Sequence, residues 1–290
     1  MQRMIRWVDA EGQVGIGIEL EEEGHFFRIM GTDDPLRVLH GEAFEVDPVP
    51  VVPLDHYSLD LGSGLTLLPP LDPPEVWCAG VTYERSLDAR MEESVGSRDV
   101  YADVYRSARP ELFLKDAAGR RTVGPGDTIG IRGDSVWNVP EPEIGLVLGR
   151  NGKILGYTIG NDVSSREIEA ANPLYLTQAK VYAGGCAIGP AVYAPPRAPH
   201  GFQIVMRISD ADGDVVYEDR TTTAQMTRSF DELISWLVRD NPIALGTVLL
   251  TGTGLVPPDD ISLTPGHWVE IHVPEVGTLV NPVALASTLV

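Results

Sequence analysis

Apolar residues along this chain fall mostly in runs of five to eight, separated by glycine, proline and small polar residues. Short runs between turn signals predict strands rather than helices. The expected strands include residues 13–19, 25–30, 49–53, 67–71, 75–81, 247–251, 268–273 and 277–280. One segment departs from this pattern. Across 230–238, Phe230, Leu233, Ile234, Leu237 and Val238 recur at helical spacing and predict an amphipathic helix whose apolar stripe packs on the core. The polar stretch from Tyr83 to Ala108 also has helical character, but long amphipathic helices are scarce. The chain is therefore expected to be mainly β with some α.

The most specific local signal is Asn151-Gly152, set between two apolar runs. Such a dipeptide predicts a tight hairpin with Arg150 facing Lys153. In that register Glu141 stands opposite Asp162, with Cβ atoms about 4.5–5.5 Å apart, and Glu143 shares their face because strand side chains alternate. Three carboxylates that close repel one another unless protonated or neutralised. A hard divalent cation such as Mg²⁺, Mn²⁺ or Ca²⁺ suits an all-oxygen ligand set and keeps positions open for water and substrate. The competing expectation is a solvated edge hairpin, which Pro142 would suit.

Composition narrows the function classes. At 290 residues the chain can bury a full core. The proline-rich stretch 68–74 marks a boundary between a small N-terminal unit, residues 1–70, and a larger unit, 71–290. A formal charge of −20, from 42 acidic and 22 basic residues, argues against a nucleic-acid or anionic-membrane partner. No apolar stretch reaches signal-peptide or membrane-span length, so a cytoplasmic location is expected. The two cysteines, Cys78 and Cys186, are too few for a disulfide framework, lack zinc-type spacing, and read as small buried residues. Gly124-Pro-Gly126 has no accompanying lysine and reads as a turn, not a phosphate loop.

Several stretches together resemble the fumarylacetoacetate hydrolase superfamily over roughly residues 70–290: Phe113-Leu-Lys115, Gly124-Pro-Gly-Asp127, Glu141-Pro-Glu143, Asn161-Asp-Val-Ser-Ser-Arg166, Lys180 and Thr251-Gly-Thr253. The resemblance implies a mixed β-sandwich roll that dimerises or forms tetramers. It implies Mg²⁺ or Mn²⁺ held by Glu141, Glu143 and Asp162. Hydrolytic members carry a histidine in the loop after the first core strand, whereas that loop here, Gly80-Val-Thr-Tyr-Glu-Arg-Ser-Leu-Asp88, has none, and no histidine occurs between His56 and His200. Within the superfamily, Pro73-Pro-Glu-Val-Trp77, Arg109-Pro-Glu-Leu-Phe113, Glu169-Ala-Ala-Asn-Pro-Leu-Tyr175 and Arg239-Asp-Asn-Pro-Ile243 are similar to dehydratases of 2-keto-3-deoxy sugar acids.

The activity implied is dehydration of 2-keto-3-deoxy-D-arabinonate or xylonate to 2,5-dioxopentanoate through a metal-stabilised enolate. The alternatives are an acylpyruvate-type hydrolase or oxaloacetate-type decarboxylase on the same scaffold, or a purely structural cation site. Dehydration needs a base at C3 and an acid at C4. Glu111 and Lys180 are the candidates, and Lys180 is also a candidate for holding the substrate. Glu111 lies in a strand entering the core, where its alternative is to pair with Lys115 on the same face. Tyr83 and Glu84 occupy the loop where hydrolases keep their histidine and are candidates for substrate binding and catalysis. Thr253 is a candidate to bond the substrate carboxylate, or else a plain turn hydroxyl.

Overall fold

The computed structural model describes residues 3–20, 25–53, 64–84 and 103–290. Most of the polar stretch between Tyr83 and Ala108 lies outside the described residues, so its expected helical character is not addressed. The expected strands form as Val14–Glu19, His25–Ile29, Val46–Pro53, Thr66–Leu68, Glu75–Gly80, Thr247–Leu250, Trp268–Val273 and Gly277–Leu285. The last runs well past its expected end at Val280.

Two sheets carry the fold. In the larger, the meander Val46–Pro53, His25–Ile29, Val14–Glu19 and Arg3–Val8 joins Cys186–Tyr193 through the pairs Arg3–Tyr193 and Met4–Val192. The order continues through Ile154–Asp162, Pro142–Leu148, Thr247–Leu250, Glu75–Gly80 and Glu111–Ala117. Pairing is antiparallel along this path except between Thr247–Leu250 and Glu75–Gly80, so the sheet is mixed. The smaller sheet orders Val215–Thr222, Gln203–Ser209, Trp268–Val273, Gly277–Leu285 and Ile129–Ile131.

The core fills the space between the sheets. Ile144, Leu146 and Ile159 of the larger sheet share one cluster with Ile204, Met206, Ile271 and Leu279 of the smaller. The helix Phe230–Leu237 completes it with Leu233, Ile234 and Leu237, as its spacing predicts. Its first turn is fixed by Ser229, whose hydroxyl accepts from the Glu232 N–H at 3.1 Å. On the opposite face, Val147, Val248, Leu250, Val76 and Ile188 form a second cluster that includes both fully buried cysteines. Among the described residues, no helix is long and apolar enough to cross a membrane.

The strand Pro142–Leu148 is buried at every position and flanked on both sides, by Ile154–Asp162 and Thr247–Leu250. This overturns the edge-hairpin alternative. From Ile144 onward the strand is a continuous apolar run, as expected of one covered on both faces, and Pro142 is its first residue, where a proline is tolerated.

The tight loop also differs from expectation. Gly149 N–H donates to Lys153 C=O at 2.7 Å, Gly152 N–H donates to Gly149 C=O at 3.2 Å, and Asn151 and Gly152 take left-handed φ of 60° and 78°. Arg150 therefore does not face Lys153. Leu148 pairs with Ile154, and a bulge at Leu155 then returns the register, so that Val147 faces Gly156 and Pro142 faces Asn161. The far end of the hairpin lands as expected, with Asp162 N–H donating to Glu141 C=O at 3.0 Å.

Candidate active site

That register brings Glu141, Glu143 and Asp162 together at the end of two central strands. All three are buried, and one carboxylate oxygen from each lies within 4.8 Å of the others. Glu143 Oε2 accepts from the Gly252 N–H at 2.5 Å. Burial, and then the charges of Asp162 and Glu141, push the Glu143 carboxyl well above the usual carboxylate range. The group is thus held in a place that disfavours its ionised form, a cost that a bound cation removes. Three converging hard oxygen donors fit Mg²⁺ or Mn²⁺.

Lys180, the last residue of the helix Leu176–Lys180, reaches into this cluster and is itself buried. Its Nζ donates to Glu141 Oε2 at 2.5 Å, Asp162 Oδ2 at 3.0 Å and Ser164 Oγ at 2.6 Å. An ammonium has three N–H donors, and all three are used. The Phe113 ring lies 5.7 Å from the same nitrogen. A solvated surface lysine is excluded, as is the expectation that goes with a purely structural cation site, a lysine distant from the carboxylates.

Two further buried cations were not singled out by sequence reasoning as site residues. Lys115 ion-pairs with Asp162 Oδ1 and donates to the carbonyls of Val163, at 2.9 Å, and Lys180, at 2.5 Å. Its ammonium serves the ligand cluster, not the pairing with Glu111 that the strand pattern suggested. Arg166 places Nη2 2.9 Å from Glu141 Oε1. The three cations thus pair with Glu141 and Asp162, while Glu143 accepts from the Gly252 N–H. Glu169, one turn beyond Arg166 on the helix Arg166–Ala171, is also buried and lines the cavity. The signals available were the apolar surroundings of Lys115 and the spacing of Arg166 and Glu169 after Asp162.

The cavity here is lined by the carboxylates, Lys180, Arg166 and Glu169 together with Glu111, Phe113, Gly80, Val81 and Thr253. Glu111 and Thr253 are therefore gathered with the cluster. The Thr253 hydroxyl closes its own turn, accepting from the Leu255 N–H at 3.0 Å. Tyr83 and Glu84 are not brought into this wall. Tyr83 is buried, with its hydroxyl pushed up by burial and then by the Glu143 charge, and Glu84 is exposed.

The comparisons agree with this geometry. The family described as "Fumarylacetoacetate (FAA) hydrolase C-terminal" matches residues 75–284. A protein of Haloferax volcanii named "Probable 2-keto-3-deoxyxylonate dehydratase" is 53% identical over 216 residues, covering 74% of this chain and 73% of that one. The 2-dehydro-3-deoxy-D-arabinonate dehydratase of Saccharolobus solfataricus is 42% identical over 261 residues, covering 87% of each. A solved structure of 2-keto-3-deoxy-D-arabinonate dehydratase complexed with magnesium and 2,5-dioxopentanoate superposes with a TM-score of 0.84 at 38% identity, covering 98% of this chain and 99% of that one. The chain belongs to the fumarylacetoacetate hydrolase family.

Proposed function

We propose that this chain is a divalent-metal-dependent hydro-lyase that dehydrates 2-keto-3-deoxy-D-arabinonate, equivalently the xylonate, to 2,5-dioxopentanoate. The observation that carries the reading is the buried triad Glu141, Glu143 and Asp162 with Lys180 bridging two of its members and Glu111 lining the same cavity. Relatives at 42% and 53% identity bear dehydratase names, and no histidine lines the cavity among the described residues. Both favour dehydration over hydrolysis of an acylpyruvate or decarboxylation of an oxaloacetate-like acid.

The triad holds the cation, which when bound supplies a Lewis acid that acidifies the hydrogens beside a 2-keto group. Lys180 orients Glu141 and Asp162 and presents positive charge toward the substrate end of the cavity. Glu111 and Lys180 form the proton-transfer pair: one removes a proton from C3, the other delivers one to the departing C4 hydroxyl, and water leaves. The elimination leaves a C3–C4 alkene conjugated with the 2-keto group; loss of a proton from C5 and its return at C3 make the C4–C5 enol, which gains a proton at C4 and loses its hydroxyl proton to give the C5 aldehyde. Thr253 bonds the substrate carboxylate. Tyr83, buried close enough to Glu143 to feel its charge, takes part in substrate binding, and Glu84 in catalysis, from the loop that follows Gly80. The protein works in the cytoplasm as a homodimer or homotetramer, and its units divide near residue 70, supported by the proline-rich stretch there and by a family match that begins at 75.

The test is purified protein with Mg²⁺ and 2-keto-3-deoxy-D-arabinonate, following aldehyde formation, with an acylpyruvate in parallel. Aldehyde from the sugar acid alone is expected. Cleavage of the diketone without turnover of the sugar acid would reverse the assignment.

A further inference from the structure

We propose that Gly80 is a positioning residue for Glu111, its missing side chain forming the slot in which the Glu111 carboxylate rests; this rests on the catalytic role given to Glu111 above. The two residues face each other on the last rung between Glu75–Gly80 and Glu111–Ala117. A Cβ built on Gly80 would lie 2.0 Å from Glu111 Oε2, 2.6 Å from Cδ and 3.2 Å from Cγ. The Glu111 side chain therefore folds back across the Gly80 backbone, and both residues line the cavity. Glycine within a strand often marks such a close approach.

The next residue supports the same reading. Val81 has φ 52°, a left-handed conformation that a β-branched residue rarely adopts, and it too lines the cavity. Backbone strain of this kind concentrates at functional sites. The chain thus leaves its strand at the point where the carboxylate sits. Any side chain at position 80 drives Glu111 out of this rotamer, a displacement on the order of 1 Å, which at a reacting centre costs roughly 100-fold.

The test is Gly80→Ala, alone and combined with Glu111→Gln, in Mg²⁺-loaded enzyme acting on the sugar acid. Gly80→Ala should lower kcat about 10- to 100-fold with KM and Mn²⁺ affinity within about twofold. Added to Glu111→Gln it should cost less than about twofold more, because the two changes act through one group. A full multiplicative loss in the double variant, or a wild-type kcat for Gly80→Ala, overturns the inference. A wild-type kcat for Glu111→Gln would instead remove the catalytic role of Glu111. If Gly80→Ala is too unstable to assay, a higher Tm on adding Glu111→Ala demonstrates the steric conflict, and an unchanged or lower Tm refutes it.

Discussion

Arg166 holds one oxygen of Glu141, with Nη2 2.9 Å from Oε1 and both side chains buried. The other oxygen, Oε2, accepts from Lys180. Glu141 is therefore gripped at both ends, which fixes the plane of a carboxylate expected to ligate metal. Partners that orient a ligand are worth about 10- to 100-fold in metal affinity. Arg166→Met should weaken Mn²⁺ binding by that factor, as read by titration calorimetry. Removing one member of a buried ion pair also costs about 3–5 kcal/mol, so the metal-free variant should unfold at lower urea. Unchanged Mn²⁺ affinity would show that Arg166 plays no part in shaping the ligand.

Lys115 is the residue left over where the strand Glu111–Ala117 bulges, between the rungs Val76–Asp116 and Trp77–Leu114. A bulge re-aims a side chain, and here it sends the ammonium to Asp162 and to the backbone of Val163 and Lys180. One buried cation thus ties Asp162, a proposed metal ligand, to the helix end that carries Lys180. Lys115→Met, similar in length but uncharged, should lower both Mn²⁺ affinity and kcat by about tenfold or more. Lys115→Arg should not restore them, because a planar fork cannot replace a compact ammonium with three converging acceptors. Restoration by arginine would mean that charge alone suffices.

The convergence of the three carboxylates is legible in the hairpin pattern, whereas Lys180 enters through the family resemblance. The tight loop pairs Lys153 with Gly149 and not with Arg150, yet Glu141 and Asp162 still meet, since the bulge at Leu155 restores the pairing further along. Side-chain alternation in a doubly buried strand then leaves Glu143 nowhere else to point. Lys115 and Arg166 were not read as site residues because their partners lie on other segments, 47 and 25 residues away, and no local periodicity encodes that approach. Tyr83 and Glu84 follow Val81, whose left-handed φ of 52° sets where their loop runs and has no signature in the sequence.

The buried thiols make a prediction about alkaline pH. Burial pushes the Cys186 thiol up to about 12 and the Cys78 thiol well above its ordinary value. Burial likewise raises the Tyr83 and Tyr182 hydroxyls. Each group binds its proton more tightly folded than unfolded, so its contribution to stability is complete below the ordinary thiol value of about 8.5 and declines as pH rises toward 12. The urea midpoint of the metal-loaded protein should therefore fall steadily above about pH 9. Both thiols should resist a labelling reagent in the native protein and react once urea unfolds it; rapid native labelling would contradict their burial.

Gly252 provides the sharpest backbone test of the metal cluster. It has φ 88°, and a Cβ there would lie 2.1 Å from Thr82 Oγ1 and 2.9 Å from the Ala79 carbonyl. Left-handed backbone costs a residue with a Cβ about 1–2 kcal/mol, and the contacts add to it, since Thr82 is held by its bond to the Thr251 carbonyl at 2.8 Å. The Gly252 N–H also donates to Glu143 Oε2, so relief of the clash moves a donor away from a buried carboxylate. Gly252→Ala should lower unfolding free energy by about 2–4 kcal/mol and weaken Mn²⁺ binding together. Adding Thr82→Ala removes the nearer contact but neither the backbone strain nor the Ala79 carbonyl. The double variant should therefore regain only part of the stability, measured by urea unfolding with and without Mn²⁺. Complete recovery would locate the whole cost in the Thr82 side chain and leave the backbone of the Thr251-Gly252-Thr253 turn without a role in seating Glu143.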